Sequence, residues 1–201
     1  MSAAPHAFAV LVSGTGRHLE NLAQLAANGA LAGAPRLVVS NKHGVAALER
    51  AARAGVESLV LDAERALDDA AFSARVFEAV AARGCDTVVL AGFLRKLLIP
   101  ATWAGRVLNI HPSLLPAFGG KGFYGDRVHR AVIERGCQVS GCTAHLVDDE
   151  YDHGRVLVQR WCPVEADDTP SSLAARVFAE ELQALPEALH RLWQAPPYTS
   201  T

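Results

Sequence analysis

The sequence predicts an α/β fold, with a mostly parallel β-sheet flanked by helices and an antiparallel hairpin near the C-terminus. Three observations lead to this prediction. Short apolar runs alternate with amphipathic stretches through the first half of the chain, which is the pattern of βαβ units and their parallel strands. Gly55 and Gly84 follow two of the amphipathic stretches, where glycine commonly ends a helix. In the second half, two strand-like runs flank a short acidic loop, a spacing typical of a hairpin.

Each element has its own signal in the sequence. The strands of the first half are short, continuous apolar runs of the kind that is buried on both faces, at Ala7–Ser13, Arg36–Ser40, Glu57–Leu61, Thr87–Ala91 and Val107–Ile110. Helical spacing of apolar residues predicts helices at His18–Ala27, Val45–Ala54, Asp69–Arg83 and Tyr124–Arg135. The hairpin strands are predicted at Cys142–Val147 and Arg155–Trp161. A last helix is predicted to begin at the Asp168–Pro170 cap and to run to about Trp193.

Composition excludes several classes of function. The formal net charge is −2, from 19 basic and 21 acidic residues, so we expect no large electropositive surface for nucleic acid. The four cysteines form no C-x-x-C pair and so lack the usual zinc spacing, and we expect them to be reduced thiols. The N-terminus has no basic region before its apolar run, and no stretch reaches the roughly 20 apolar residues that span a bilayer. We therefore expect a cytoplasmic protein that does not bind membranes.

A glycine-rich turn, Ser13–His18, follows the first predicted strand. Its two glycines allow close approach of the backbone to a ligand, and the N–H groups at the start of the following helix attract phosphate. Leu19 stands where a dinucleotide-binding fold needs a third glycine, and Asn41 rather than an acidic residue follows the second strand. The pattern therefore disfavours a dinucleotide and is compatible with a single phosphate, with Arg17 as a cationic contact. The alternative is an ordinary strand-to-helix turn.

A second polar segment, Asn109–Ser113, follows the fifth predicted strand. Asn109 and His111 are two residues apart in an extended run, so their side chains share one face. An amide and an imidazole placed together can hydrogen-bond a developing oxyanion, as acyl transfer requires. The alternative is a strand end whose polar side chains cap a neighbouring element. Ligands of open α/β sheets bind beyond the carboxyl ends of the strands, where Ser13–His18 and Gly92–Leu97 are also expected.

The acidic loop of the hairpin, Asp148–Gly154, does not match the twelve-residue calcium-binding pattern. Asp152 is its one candidate for chemistry, because a carboxylate beside the imidazole of His111 would raise the histidine pKa and fix the ring. A metal site built from His111, His145 and His153 is a further alternative, but no ligand spacing supports it.

Three motifs together resemble the folate-dependent formyltransferases, and among them the glycinamide ribonucleotide branch. They are LAGFLRKL at Leu90–Leu97, NIHPSLLPAF at Asn109–Phe118, and the SG-x-T-x-H-x-V frame with D-x-G from Ser140 to Gly154. The resemblance implies a Rossmann-like formyltransferase fold in a single domain, 1–201. Its phosphate-binding half would cover about 7–110 and its folate-binding and catalytic half about 111–194. It further implies 10-formyltetrahydrofolate as co-substrate, no metal, and a monomer or homodimer.

The resemblance also implies roles for individual residues. Asn109 and His111 would stabilise the tetrahedral intermediate, and Asp152 would keep His111 protonated. The residues implied to bind the acceptor are Gly14, Thr15, Gly16, Arg17, His18 and Glu181. Those implied to bind folate are Leu94, Arg95, Lys96, Leu97, Asp148, Asp149, Glu150 and Tyr151. His145 and Ser113 would support the catalytic residues.

The chain departs from the family pattern in the acceptor region. Arg17 and His18 stand where the family usually has Ser or Thr and then Asn, and Phe178 replaces a common polar residue one turn before Glu181. Arg65 is the candidate for contacting the folate tail. Two alternatives therefore stay open: a formyltransferase with another amine acceptor, such as an amino-sugar nucleotide, or a catalytically silent folate-binding protein.

Overall fold

The computed structural model describes residues 6–61 and 68–194, which divide into two compact units. Residues up to Leu108 belong to the first unit and residues from Asn109 to the end of the described chain belong to the second. The chain passes from one unit to the next within a single strand, β5, at Val107–His111.

The first unit is built of alternating strands and helices, as the sequence predicts. In chain order these are β1 (His6–Val12), α1 (Arg17–Ala27), β2 (Gly33–Ser40), α2 (Ala46–Arg53), β3 (Glu57–Val60), α3 (Asp69–Ala82) and β4 (Thr87–Leu90), followed by a short 3₁₀ turn (Ala101–Trp103). Strands β3, β2, β1 and β4 lie side by side in that order, and all their pairings are parallel.

The core of the first unit lies around its central strand. Every residue from Phe8 to Val12 in β1 is fully buried, as expected for a parallel strand that is covered on both faces. α1 contributes Leu19 and Leu22 to this core, three residues apart and therefore on one side of the helix. β3 is the least buried strand of the four, because it has one strand neighbour instead of two.

The second unit is an antiparallel hairpin packed against a long helix. After α4 (Asp126–Glu134), β6 (Val139–Leu146) pairs with β7 (Val156–Pro163), and α5 (Pro170–Gln194) packs against both strands. The strands approach closely at Gly141, where a Cβ atom would overlap the carbonyl oxygen of Arg160. The Arg160 guanidinium is held against α5 by Glu180, with Nε and Oε2 2.8 Å apart.

One side of the hairpin carries an exposed aromatic residue. Val158 and Cys162 of β7 are buried, whereas Trp161 is 65% exposed, as alternation along a strand requires. The indole borders a surface pocket of about 400 Å³, which is also lined by Leu114, Val139 and Gln159.

The predicted α/β fold, with parallel strands and a C-terminal antiparallel hairpin, is confirmed. Element boundaries differ at several ends, and β2 begins at Gly33 rather than at Arg36. β6 begins at Val139 rather than at Cys142, and β5 includes His111. α4 begins at Asp126 rather than at Tyr124, because the preceding segment contains glycines in the left-handed region, at Gly120, Gly122 and Gly125. In the described part of the chain, every helix is too short or too polar to cross a bilayer.

Candidate functional site

The second unit gathers four polar side chains that the sequence singles out. Asn109 and His111 come from β5, with Ile110 buried between them. His145 comes from β6, and Asp152 from the loop between β6 and β7. These four residues, called the polar cluster below, are linked in a row: Asn109 lies within hydrogen-bonding distance of His145, and Asp152 lies within ion-pairing distance of both His145 and His111.

His145 orients the amide of Asn109. Nδ1 of His145 lies 2.8 Å from the carbonyl oxygen of Leu146, which can only accept, so the Nδ1–H donates. In the neutral ring Nε2 is then an acceptor, and it lies 3.0 Å from Nδ2 of Asn109. The amide therefore donates to His145, and its oxygen is oriented away from that nitrogen.

His111 and Asp152 form the second half of the polar cluster. Nε2 of His111 donates to the carbonyl oxygen of Phe118, 2.9 Å away, which leaves Nδ1 facing Oδ1 of Asp152 at 3.4 Å. The other carboxylate oxygen of Asp152 accepts from the N–H of Gly120 at 2.9 Å. Asp152 has a φ of 55°, and Asp is one of the few residues that tolerate the left-handed region.

Burial has the largest effect on the pKa of His111. It lowers the pKa of His111 below its ordinary value of 6.5, although Asp152 and the Phe118 carbonyl act in the opposite direction. Burial of the ring therefore acts against the predicted role of Asp152 in keeping His111 protonated. Asp152 does favour the imidazolium, but desolvation of an almost completely buried ring outweighs it.

Asp152 itself is held ionised. Burial raises its pKa, but the nearby imidazoles of His145 and His111 and the Gly120 N–H together outweigh burial, so that the pKa lies below its ordinary value of 3.8. The polar cluster thus combines a carboxylate with two imidazoles, of which His111 is neutral at neutral pH.

The segment after β5 is fixed to the hairpin by hydroxyl and amide groups. Ser113 is buried, and its Oγ donates to the carbonyl oxygen of Ala117 at 2.6 Å. Oγ1 of Thr143 donates to the carbonyl of Ser113 at 2.7 Å and accepts from the N–H of Leu115 at 3.0 Å. Nε2 of Gln159 donates to the Leu115 carbonyl at 2.9 Å. These bonds fix the segment that follows His111, and the supporting role of Ser113 stays a prediction.

The acidic loop of the hairpin keeps most of its charged side chains at the surface. Asp148 accepts from the N–H of Glu150 at 2.9 Å and lies 2.8 Å from Nδ1 of His153. Its neighbours Asp149, Glu150 and Tyr151 are exposed. Because His153 pairs with Asp148 at the surface, it does not join His111 and His145. In the described ranges no three His, Cys, Asp or Glu side chains are arranged to hold a metal ion.

The glycine-rich turn of the first unit leads directly into a helix. Gly16 has a φ of 73° and is the residue before α1, and a Cβ atom there would meet Ala47 at 2.6 Å. Only glycine satisfies both demands. Arg17 and His18 are the first residues of α1, where backbone N–H groups carry a partial positive charge.

The turn is braced by α2. The carbonyl oxygen of Gly14 accepts from the N–H of Ala47 at 3.2 Å, and the carbonyl of Thr15 accepts from Nε of Arg50 at 2.9 Å. Both carbonyls are thereby directed towards α2, while Gly14 and Thr15 remain exposed.

The segment predicted to line a pterin follows β4. Leu94 is 54% exposed, Leu97 is buried and Lys96 is half-buried. The Arg95 guanidinium lies over the ring of Phe72, 4.0 Å from its centroid, so its planar face is engaged within the first unit. Arg65, the candidate for the folate tail, lies outside the described residues.

Two buried groups on facing helices lie near the polar cluster. Glu181 of α5 is 7% exposed, with Phe178 one turn before it, and His129 of α4 is 4% exposed. Burial lowers the pKa of His129, while Glu181 acts in the opposite direction. Nδ1 of His129 has no hydrogen-bond partner in the described part of the chain. Sequence reasoning missed His129, since helical spacing alone makes it a core residue.

Two other functional groups were missed because they belong to the main chain. The carbonyl of Phe118 and the N–H of Gly120 contact His111 and Asp152, and side-chain patterns do not identify such groups. The one sequence feature that could have pointed to the Phe118 carbonyl is the NIHPSLLPAF motif, because this motif extends as far as Phe118.

Comparison with known proteins gives one consistent result. Residues 6–189 match the formyl transferase family. The phosphoribosylglycinamide formyltransferase of Arabidopsis thaliana, described as chloroplastic, is 42% identical over 176 residues, which are 86% of this chain and 60% of that protein. The chain thus spans about 60% of the length of that relative and of a second curated plant relative.

Solved structures indicate the same family, and this chain covers a larger share of their length than of the plant relatives. The glycinamide ribonucleotide transformylase 1 of Symbiobacterium toebii is 38% identical, with a TM-score of 0.86, and the match covers 92% of this chain and 85% of that one. The phosphoribosylglycinamide formyltransferase of Bacillus halodurans is 31% identical, with a TM-score of 0.84, and the match covers 94% and 95% of the two chains.

Proposed function

This chain belongs to the formyl transferase family, and we propose that it transfers a formyl group from 10-formyltetrahydrofolate to the amine of glycinamide ribonucleotide in purine biosynthesis. The observation that carries the proposal is the polar cluster, in which an oriented amide, a neutral imidazole and an ionised carboxylate lie together. The names of the relatives support glycinamide ribonucleotide as acceptor.

The reaction requires one nucleophilic attack and one proton transfer. The acceptor amine attacks the formyl carbon, the C=O double bond becomes a C–O⁻ single bond, and a tetrahedral intermediate forms. The C–N10 bond of the donor then breaks and the carbonyl re-forms. The amine loses one proton and N10 gains one, so the exchange is balanced and needs no redox partner. A hydrogen-bond donor for the oxyanion and a group that carries the proton are therefore sufficient.

Asn109 is the proposed donor to the oxyanion. Its Nδ2 has two hydrogens, and His145 accepts only one of them. The second N–H can donate to the formyl oxygen at any pH. Because His145 is fixed by Leu146, the amide is oriented before the substrate arrives, which lowers the reorganisation needed at the transition state.

His111 is the proposed carrier of the proton. A neutral imidazole can accept the proton that the amine releases, and the imidazolium is then stabilised by Asp152. The same proton can pass to N10 as it leaves. The lowered pKa of His111 favours this cycle, since the ring is unprotonated at the start and gives up its proton readily.

The remaining residues are proposed to bind the substrates. The N–H groups and cationic side chains of Gly14–His18 would bind the acceptor phosphate, and Glu181 a ribose hydroxyl. Leu94–Leu97 and Asp148–Tyr151 would bind the folate. We further propose that the reaction needs no metal, that the protein has no nucleic-acid partner, and that it is a monomer or a homodimer. We also propose a cytoplasmic location, which the four unpaired cysteines support.

The decisive experiment is a turnover assay on the purified protein. Glycinamide ribonucleotide and 10-formyltetrahydrofolate are supplied together, the folate absorbance is followed, and the formylated product is identified by mass spectrometry. Product formation that is lost in His111→Ala supports the proposal. Turnover only with an amino-sugar nucleotide would replace the acceptor, and folate binding without any turnover would show a silent folate-binding protein.

A further inference from the structure

We propose that Ser13 is a positioning residue that joins the glycine turn to the loop after β4 and thereby sets the affinity for the folate co-substrate. The inference rests on the proposed function, because it takes Leu94–Leu97 as part of the folate site. All the residues involved lie in the first unit.

Ser13 holds the loop after β4 through two hydrogen bonds. It directly follows β1 and is 6% exposed. Its main-chain N–H donates to the carbonyl oxygen of Gly92 at 3.1 Å, and its Oγ accepts from the N–H of Leu94 at 2.9 Å. One residue thus closes both ends of the turn between Gly92 and Leu94. The main chain of a predicted folate-binding residue is therefore placed by a side chain of the neighbouring glycine turn.

Asn41 determines the orientation of the Ser13 hydroxyl. Oγ of Ser13 donates its one hydrogen to Oδ1 of Asn41, 2.7 Å away. The hydroxyl must therefore present a lone pair to the N–H of Leu94. Asn41 is 8% exposed and follows β2, where a dinucleotide-binding fold would carry an acidic residue. The bonds from Leu94 to Ser13 to Asn41 run in one direction, so each strengthens the next.

The exposed side chain of Leu94 shows what this arrangement achieves. Leu94 is a large apolar side chain that is 54% exposed and is therefore available to contact an apolar ring of a ligand. Fixing the main chain presents Leu94 to an apolar ring before the ligand binds, and a preorganised loop loses less entropy on binding. Without the hydroxyl, the partly buried N–H of Leu94 loses its acceptor, and the loop is free to leave this conformation.

The test measures the affinity for the folate co-substrate and the affinity for glycinamide ribonucleotide separately, in the variants Ser13→Ala and Ser13→Thr. We expect Ser13→Ala to raise both the Kd for tetrahydrofolate and the KM for 10-formyltetrahydrofolate by about tenfold. This is the change expected if only a tenth of the molecules keep the loop in its binding conformation. The Kd is measured by calorimetry in the absence of glycinamide ribonucleotide. The KM for glycinamide ribonucleotide should change less than threefold. Ser13→Thr keeps the hydroxyl and should restore the folate affinity. Asn41→Ala, which removes the acceptor for that hydroxyl, should weaken folate binding in the same direction.

Ser40→Ala is the matched control. Ser40 is fully buried at the end of β2, and its hydroxyl is bonded only to the main chain of Lys42 among the contacts described. This variant should lower thermal stability and leave folate affinity unchanged. Equal folate affinity in wild type and Ser13→Ala, or an equal loss in Ser40→Ala, would overturn the inference while leaving the proposed function intact. A wild-type protein that does not bind tetrahydrofolate at all would overturn both.

Discussion

Nδ2 of Asn109 lies 3.0 Å from Nε2 of His145, so the amide proposed to bind the formyl oxygen is itself oriented by a histidine. The sequence placed His145 only in a supporting position. Its Nδ1–H is engaged with a main-chain carbonyl, which leaves one acceptor for the amide. His145 therefore acts on the reaction through Asn109 rather than through a proton of its own.

The first prediction concerns this bond. His145→Phe keeps a buried ring but removes the acceptor, so Asn109 loses its orientation, and we expect kcat to fall about tenfold or more, with KM for folate unchanged. His145→Gln can place an amide oxygen near the position of Nε2 and should recover most of the rate. Steady-state kinetics of the two variants provide the measurement. Equal losses in both would mean that His145 contributes something other than an acceptor.

The second prediction concerns Asp152. Asp152→Asn keeps the size of the side chain and removes the charge that favours the His111 imidazolium. We expect kcat to fall about 10²-fold, with both substrates still bound. We expect the acid limb of the wild-type pH–rate profile to lie below pH 6.5, because burial lowers the pKa of His111, and to move to still lower pH in the variant. Steady-state kinetics between pH 4.5 and 8 would measure this shift. The range extends from just above the ordinary pKa of a carboxylate, roughly 4, to above that of histidine, roughly 6.5.

The double variant with His111→Ala is the control for that experiment. If Asp152 and His111 act as a unit, the double variant should be little worse than His111→Ala alone. An Asp152→Asn enzyme with nearly normal kcat and an unmoved acid limb would contradict the assignment, and His145 would be the next candidate for the proton carrier.

The third prediction is a loss of stability in weak acid. Burial lowers the pKa of both His111 and His129, so below their ordinary pKa of 6.5 the unfolded chain binds more protons than the folded one. The free energy of unfolding should therefore fall as the pH decreases from about 6.5, by up to about 1.4 kcal/mol per pH unit for each histidine, and level off below the folded-state pKa values. Urea unfolding at several pH values measures this slope.

His129→Leu separates the two contributions. It removes one titrating ring from a buried position and should make the slope between pH 6.5 and 5 shallower. The exposed pair of His153 and Asp148 acts in the opposite sense, since Asp148 raises the pKa of His153, and its contribution is lost as the pH rises above 6.5. A slope that is the same in His129→Leu and wild type would show that His129 is not neutral in the folded protein.

The fourth prediction concerns the acceptor phosphate. Arg17→Ala should raise the KM for glycinamide ribonucleotide roughly ten- to hundredfold, because a charge-assisted hydrogen bond contributes about 1.5–3 kcal/mol. Folate binding should be unaffected. Arg53→Ala removes another cation of the same unit, the last residue of α2, which is ion-paired with Glu20, and serves as the control. An unchanged KM in Arg17→Ala would favour phosphate binding by main-chain N–H groups alone, or another acceptor.

The fifth prediction concerns metals. Turnover should be the same before and after dialysis against EDTA, because an amide and an imidazole supply the donor and the proton carrier of the proposed reaction. Activity that EDTA abolishes and that zinc or magnesium restores would contradict the metal-free reaction.

Much of the fold could be predicted because local signals and burial agree. β1 is a continuous apolar run and is fully buried from Phe8 to Val12, and the predicted start of α1 differs from the observed one by a single residue. The start of β6 could not be predicted, because Val139, Ser140 and Gly141 carry no strand-like alternation. Their extended conformation is imposed by pairing with β7.

The polar cluster could be predicted as a set of residues but not as an electrostatic system. Spacing placed Asn109 and His111 on one face, and the resemblance added Asp152. The charge of His111 depends on how deeply the ring is buried, which is a property of tertiary packing and leaves no trace in the motif. The sequence therefore predicted the direction in which Asp152 acts, but not the balance between that effect and desolvation.

The exposed indole of Trp161 is an intrinsic fluorescent probe on the hairpin. It borders the same pocket as Leu114, which belongs to the segment that follows His111, and as Gln159, whose amide holds that segment in place. A shift of the segment would change how much water surrounds the indole and therefore its emission wavelength. Trp161→Phe would remove this emission and leave that of the buried Trp103 and of Trp193 as background. Ordering of the catalytic segment could then be followed in real time without attaching any label.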